Sequence, residues 1–325
     1  MRVLLTGSSG WLGRYLAPLL AENGHEVTGL DVVQGEHTQV VGTVADRALI
    51  DRTMGERGID AVIHGGALHK PDIVRYPRQA FVDVNITGTL NLIEAAVAAG
   101  NDRFLFTSTT SLMVRGDVRE GAGEAGAWWM DEDFGPIEPR NIYGITKFAA
   151  EQALRLVHRE HGINLAILRT GRFFPEDDDT HEAPGGENLK ANELLHRRLT
   201  VEDAAAAHLA ALEAAPEIGC DTFILSAPPP FAREEAEELA RDARAVIARH
   251  HPDAADLYAA KGWILPEIID RVYDPSRAGR RFGWRARSDF GSVLAALRDG
   301  AELPFAHDPD YTSPIVAQER QPCMC

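Results

Sequence analysis

The sequence predicts an α/β fold: a doubly wound parallel sheet of the Rossmann type with a smaller C-terminal α/β region that binds substrate. Three observations carry this. Strand-like and helix-like segments alternate through the first half of the chain. A glycine-rich turn, Gly7-Ser8-Ser9-Gly10-Trp11-Leu12-Gly13, separates the first strand from the first helix. The alternation stops near residue 170, where loops and isolated helices take over. Strands that alternate with helices pair in parallel through right-handed crossovers, so helices cover both faces of one sheet.

The elements follow from apolar spacing and its breakers. Val3-Leu4-Leu5 is a short apolar run ended by glycine. Leu12, Leu16, Leu19 and Leu20 share one helical face up to Asn23, and Gly24 stops it. Val27 to Val33 and Ala61 to His64 read as strands, the second bounded by Gly65-Gly66. Phe81 to Ala99 is helical and closed by Gly100; Arg103 to Thr107 is a strand. Ile142 to His161 is helical and closed by Gly162, and Leu165 to Leu168 is the next strand. Beyond that, residues 175–187 are acidic with two prolines and two glycines, a surface loop. Short helices are expected at Leu189–Leu195 and Glu202–Ala214, a strand at Phe223–Leu225, and a charged amphipathic helix at Arg233–His250. Residues 301–325 read as an extended tail.

Composition is that of a large globular protein: 325 residues, 45% hydrophobic and 25% charged. Disorder and a disulfide-stapled miniprotein are excluded. The charge is 33 − 49 = −16, a field that repels nucleic-acid phosphates and anionic lipid, so neither nucleic acid nor membrane is an expected partner. A small anionic ligand stays open, because local backbone dipoles act at short range. Cys220, Cys323 and Cys325 form no zinc spacing and no disulfide framework. No metal site is expected, and a reduced, cytoplasmic setting fits. No secretory leader pattern follows Met1-Arg2, and no run approaches 18 apolar residues.

The glycine turn carries the first chemical signal. Glycine permits the tight turn and lets backbone N–H groups approach a pyrophosphate, while the helix N-terminus adds partial positive charge. Asp31 ends the second strand 18 residues beyond Gly13, where an acidic side chain binds the adenosine ribose hydroxyls. Its charge repels a 2′-phosphate, which favours NAD over NADP. Asp46 could accept from the adenine amino group, although aspartate in a turn needs no ligand.

Tyr143-Gly144-Ile145-Thr146-Lys147 carries the second. An i, i+4 spacing puts phenol and ammonium on one helical face. The ammonium and a nicotinamide cation together are expected to lower the tyrosine pKa from about 10, making a general base for a hydroxyl. Thr109 ends the strand at 104–109, and ligands bind at the carboxyl ends of parallel strands. It is therefore placed to hold the same reacting oxygen.

These motifs resemble the extended short-chain dehydrogenase/reductase family, in its NAD-dependent epimerase/dehydratase branch. The matching segments are GSSGWLG at 7–13, VIHGGA at 62–67, VNITGTLNLIEAA at 84–96, FLFTSTTS at 104–111, YGITK at 143–147, LRTGRFFP at 168–175, VEDAAAAH at 201–208 and DPSRAGRRFGW at 274–284. They span about residues 1–300 in the family's order. The resemblance implies an NAD-binding domain at 1–170 with catalytic Thr109, Tyr143 and Lys147, a substrate-binding region at 171–300 mixed with late Rossmann elements, and the tail at 301–325. It places the cofactor against Gly7, Ser9, Gly10, Trp11, Leu12, Gly13, Asp31, Asp46, Gly65, Ala67, Asn85, Thr107, Tyr143 and Lys147. Asn85 would support the active-site backbone, and Lys147 would also hold the nicotinamide ribose. Helices 81–99 and 142–161 would form a homodimer interface.

Departures from the family narrow the substrate. Sugar-nucleotide 4,6-dehydratases carry Asp-Glu after the catalytic threonine; here Thr110-Ser111 follows, and neither is a carboxylic acid. Arg172 stands where nucleotide-sugar enzymes usually carry asparagine. Asn188-Leu189 resembles a nucleotide-contacting pair, yet the strand that usually helps hold the base has no counterpart between Leu189 and Thr200. Arg172 and Arg198 could pair with a carboxylate or phosphate on a smaller ligand, or serve as ion-pair arginines. The substrate pocket is expected from His69, Thr109, Thr110, Trp128, Arg172, Phe173, Asn188 and Arg198. The loop between Thr109 and Tyr143 carries Trp128-Trp129, which either covers the substrate or anchors the loop. His64 reads as a core histidine. The expected activity is NAD-dependent oxidoreduction or epimerisation at a hydroxyl/ketone of a sugar-like small molecule, with Tyr143 as acid/base. The alternative is simple dehydrogenation of a small acidic or free sugar, and a non-enzymatic NAD-binding sensor is a third reading.

Overall fold

The computed structural model describes residues 1–177 and 184–320. β1 (Arg2–Thr6) turns through the glycines into α1 (Trp11–Glu22). β2 (Glu26–Asp31), the short β3 (Val40–Val41), α2 (Arg47–Arg57) and β4 (Ala61–His64) follow. α3 (Arg78–Phe81) passes through a π-helical stretch, Val82–Thr87, into α4 (Gly88–Ala98). Next come β5 (Arg103–Thr109), α5 (Gly116–Glu120), β6 (Trp128–Met130), α6 (Ile142–His161) and β7 (Asn164–Thr170). The second half holds α7 (Gly186–Glu193), α8 (Val201–Glu213), α9 (Ala215–Ile218), β8 (Cys220–Leu225), α10 (Ala236–Leu239), α11 (Ala243–His250) and α12 (Ala254–Lys261). β9 (Arg271–Tyr273), α13 (Ser276–Phe282), α14 (Phe290–Asp299) and α15 (Pro314–Arg320) complete it.

Seven strands form one parallel sheet in the order β3-β2-β1-β4-β5-β7-β8. The order reverses between β1 and β4, which opens a crevice at the carboxyl ends of those strands. Thr6 pairs with both Leu30 and His64, so the ends of β1, β2 and β4 are level. Alternating side chains feed two cores, as a period of two requires. Val3, Leu5, Ile63 and Leu105 pack with α1 and α8; Leu4, Val62, Phe104 and Phe106 pack on the other face with α2, α4 and α6. A third core joins α7, α10, α11, α12 and α14.

Three departures from the sequence expectations have local causes. The tryptophan loop contains a strand: β6 pairs in parallel with β9, far away in sequence. The charged helix at 233–250 is broken, because the Asp242 side chain accepts from the Ala245 amide and starts α11 afresh. The 301–325 tail is extended only to Ser313; Pro314 then opens α15, its fixed φ suiting a first helical turn. β8 joins the main sheet beside β7, so the second half of the chain supplies part of the Rossmann scaffold. Residues 178–183 of the acidic loop, and Cys323 and Cys325, lie outside the described residues. Among the described residues one helical run, Arg78–Ala98, is long and apolar enough to cross a membrane, and it is half buried in this fold.

Candidate active site

The glycine turn is shaped by close backbone approaches. Gly7 has φ 78°, and a Cβ there would lie 2.9 Å from the Gly66 nitrogen. A Cβ on Gly13 would lie 2.3 Å from the Gly7 carbonyl oxygen, so α1 can start this close to β1 only with glycine. Gly10 donates to the Gly7 carbonyl at 3.1 Å. The Ser9 amide donates to Asp31 Oδ2 at 3.0 Å, and the Val33 amide to Oδ1 at 3.1 Å. Burial raises the Asp31 pKa, and these amides oppose the rise. The Ser9 hydroxyl is spent on the Val33 carbonyl and Thr38.

Trp11 and Leu12 begin α1. The Trp11 indole Nε1 is buried without a partner among the described residues. Gly65, Gly66 and Ala67 run past the turn, with the Gly66 amide on Thr6 Oγ1 at 3.0 Å. Asn85 grips the Leu68 backbone in both directions, at 2.9 and 3.0 Å, and reaches Thr146 of α6 at 3.1 Å. Thr107 bonds His208 Nε2 at 2.8 Å; His208 Nδ1 faces the Ala204 carbonyl, so the ring accepts from the threonine. Asp46 caps α2, its Oδ1 accepting from the Leu49 amide at 3.0 Å.

The catalytic candidates converge where β5 ends. α6 is started by Asn141, whose side chain accepts from the Gly144 amide, and this fixes Tyr143 in the first turn. The Tyr143 phenol is hydrogen-bonded by Thr109, which opposes the effect of burial. Burial wins and pushes the phenol up to about 12. One turn on, Lys147 is buried with its ammonium 4.0 Å from the Phe106 ring centroid, and burial pulls it down to about 7. Beneath them Glu151 is fully buried, bonded to Ser108 at 2.6 Å and to Arg169 at 2.7 and 3.0 Å. Its charge opposes the fall at Lys147.

His69 stands beside Tyr143, ring centroids 5.8 Å apart, and 5.8 Å from Phe174. Its amide donates to Asp72 at 2.7 Å. Burial and the Lys147 charge lower its pKa to about 4, so the ring is neutral at working pH. His64 is a core histidine held by Thr6 at 2.7 Å and Thr89 at 3.0 Å.

Several expected substrate contacts are occupied by the protein itself. Arg198 is buried on Glu193 at 2.9 Å and on the Phe174 carbonyl. Asn188 spends both ends of its amide on the Ile264 backbone, at 2.8 and 3.1 Å. Thr110 donates to the Thr170 carbonyl at 3.2 Å. Trp128 donates to the Gly121 carbonyl at 2.9 Å, and Trp129 to Asp274 at 3.2 Å, so both tryptophans anchor their segment. Phe173 stacks on Phe174 at 4.8 Å and faces the core. Arg172 is half-buried, donates to the Asp177 carbonyl at 3.2 Å and forms an isolated parallel bridge with Arg198. That bridge is the one β pairing within 194–200, where the usual base-holding strand was absent from the sequence.

The sequence did not point to Phe174, Lys190, His307 or Tyr311. Lys190 is buried, bonded to the Pro175 carbonyl and to His307 Nδ1. Burial first, then the Arg198 charge, lowers its pKa to about 8. Tyr311 packs edge-on against Trp11 at 5.2 Å. The last two contacts join segments 117 and 300 positions apart, and no local pattern announces them.

Comparison with known proteins fits this geometry. Residues 3–222 match the NAD dependent epimerase/dehydratase family. The chain belongs to that family. The turn at 7–13, Asp31 and the buried Trp11 indole, unpartnered among the described residues, fit the NAD that the family's name carries. A UDP-glucose 4-epimerase of Rhizobium meliloti (strain 1021) is 32% identical over 175 residues, 51% of this chain and 50% of that protein. A uronate dehydrogenase of Pseudomonas syringae pv. tomato is 28% identical over 184 residues, 54% of this chain and 60% of that protein. The chain thus spans about half the length of such curated relatives. A solved structure of a mutated uronate dehydrogenase superposes with a TM-score of 0.60 at 20% identity, covering 98% of this chain and 96% of that one, and shares the fold.

Proposed function

We propose that this epimerase/dehydratase-family member is an NAD-dependent dehydrogenase of a small acidic sugar, with no nucleotide attached. The observation that carries the reading is the use of Asn188. A side chain that would contact a nucleotide is consumed by Ile264, and 194–200 forms no base-holding strand. The cationic end supports an acidic group. Burial first, then the Arg198 and Arg172 charges lower the Lys190 pKa while Asp177 and Glu176 oppose the fall, so three cations and two carboxylates meet here and a further anion is met by Arg172. The uronate dehydrogenase likeness points to a uronic acid as the first substrate to try.

Tyr143 takes the proton of the substrate hydroxyl, while Thr109 holds that oxygen through its own hydroxyl. Neutral His69 borders the same space and can orient a neighbouring hydroxyl. Lys147 keeps positive charge next to the phenol when protonated. When bound, NAD supplies the hydride acceptor and a positive charge that favours phenolate. Buried Glu151 and Arg169 fix the floor of the site.

The second reading, epimerisation of a nucleotide sugar, is favoured by the likeness to UDP-glucose 4-epimerase. A panel of uronic acids, free sugars and UDP- or GDP-sugars separates them. Net NADH release with a uronic acid supports dehydrogenation. Inversion of a UDP-sugar without net NADH overturns it.

A further inference from the structure

Beyond α14 the chain leaves its last core contact and runs back toward the glycine turn. Phe305 is the last side chain of the third core. After it, Ala306, Asp308, Pro309 and Asp310 are exposed, and no strand or helix forms until Pro314. This run is fastened at two places. At the first, the Pro175 carbonyl accepts from the Asp308 amide at 3.0 Å and from the Lys190 ammonium, and Lys190 also bonds His307 Nδ1 at 2.6 Å. At the second, Tyr311 packs edge-on against Trp11, ring centroids 5.2 Å apart. Arg14 lies over both rings, 5.3 Å from Trp11 and 5.7 Å from Tyr311.

The two anchors stand at opposite ends of one wall. Pro175 follows Phe174, whose ring meets His69 at 5.8 Å, and His69 stands beside Tyr143. Trp11 opens α1 within the turn at 7–13. Residues 307–311 therefore continue the wall from the Tyr143 end of the crevice to the glycine turn. A connection of this kind is easily released. Its fastening is one polar clasp and one aromatic edge contact, and segments that bury so little apolar surface open at far lower free energy than a core. We propose that residues 306–313 are a strap along the crevice, and that NAD enters and leaves only while the strap is released from Trp11. Phe305 stays in the core and serves as the hinge. The strap needs no contact with the dinucleotide, because it bars the path equally in both directions. Exchange each way is then scaled by the open fraction, while the equilibrium between free and bound cofactor stays as it is. The strap rests on the turn at 7–13 as the cofactor site and not on the choice of substrate.

The test is stopped-flow fluorescence of NADH binding to the full chain. Loss of one aromatic contact shifts an opening equilibrium by roughly three- to tenfold. Tyr311→Ala should raise the NADH association and dissociation rates together by about that factor, with Kd unchanged. His307→Ala, at the other anchor, should also raise both rates together and should speed chymotryptic cleavage after Tyr311, an independent measure of opening. A tail that merely supports the cofactor site would instead raise the dissociation rate alone and weaken Kd. That outcome, or wild-type rates in either variant, overturns the proposal. Should Tyr311→Ala fail to fold, His307→Ala decides on the same criterion.

Discussion

The Lys147 ammonium nitrogen lies 4.0 Å from the centroid of the Phe106 ring. The contact is a cation–π pair inside the core, one helical turn from Tyr143. It recovers part of what the amine loses by leaving water. Burial still outweighs it, pulling Lys147 down to about 7 and pushing Tyr143 up to about 12.

A stability prediction follows from Lys147. Its pKa falls from 10.5 in the unfolded chain to about 7 in the folded one. Across that window the unfolded chain holds a proton that the folded chain lacks, so stability rises with pH and the penalty is gone above about 10.5. Lys147→Met removes the penalty while keeping an unbranched apolar stem. The variant should be more stable than wild type at pH 7 by roughly a few kcal/mol, at about 1.4 kcal/mol for each tenfold change in the proton equilibrium. The Tm difference should shrink as pH climbs toward 10. A difference that is constant with pH would show that the amine is not titrating between the two states.

Tyr143→Phe should abolish most turnover on the true substrate and leave NAD affinity near normal. The lost group acts on the substrate hydroxyl, and its removal costs general-base catalysis of about 10²–10⁴-fold. Steady-state rates with an NAD titration by fluorescence check both parts. Wild-type turnover in this variant would exclude the phenol as base.

What was readable in the sequence was what local spacing enforces. The turn at 7–13, the strand ends and the Tyr143/Lys147 spacing depend on neighbours a few residues away, and they were placed before any coordinates. The sequence left Arg198 open between ligand and ion pair and placed Asn188 in the pocket, because a polar side chain in a motif position says nothing about which partner it finds across 5 or 76 positions. Glu193 and the Ile264 backbone are those partners. Burial, too, is a property of the assembled core. The desolvation that pushes the Tyr143 pKa up comes from the whole fold and not from the four-residue spacing to Lys147. For Trp128 and Trp129 the sequence left cover and anchor open, and the pairing with β9 that favours the anchor is far away in sequence.

Asp31 should set cofactor choice. Its carboxylate is fixed by the Ser9 and Val33 amides at the end of β2, and a 2′-phosphate brought to it meets like charge. NAD should bind at least about tenfold tighter than NADP, roughly 1.4 kcal/mol. Asp31→Ala should narrow the gap. Equal affinities of wild type for the two, measured by calorimetry, would remove this role.

α6 carries Ile145 at 50% exposure and Leu156 at 46%. Eleven residues are about three turns at 3.6 per turn, so both lie on one face. That face belongs to the helix pair proposed to form a homodimer. Leu156→Glu should convert a dimer to a monomer in light scattering, with folding and NAD binding retained. A wild-type chain that is monomeric at micromolar concentration would refute the interface.

Arg172 should govern affinity for an acidic substrate. It is half-buried beside Phe173 and donates to the Asp177 carbonyl, close enough to Lys190 for its charge to add to the lowering that burial and Arg198 cause first. A carboxylate bound at this end gains charge-assisted bonds that strengthen where water is excluded. Removing the guanidinium leaves that carboxylate short of a partner, so Arg172→Ala should raise KM for a uronic acid by roughly tenfold or more, about 1.4 kcal/mol per decade. Arg172→Lys should recover only part, since an ammonium lacks the planar fork that matches a carboxylate. Neutral sugars should show little change in either variant. UDP and GDP should bind no better than inorganic phosphate, because Asn188 is committed to Ile264 and cannot turn to a base without breaking two buried hydrogen bonds. A complex with an ordered UDP-sugar, its base held by protein contacts, would reverse this reading and return the enzyme to nucleotide-sugar epimerisation.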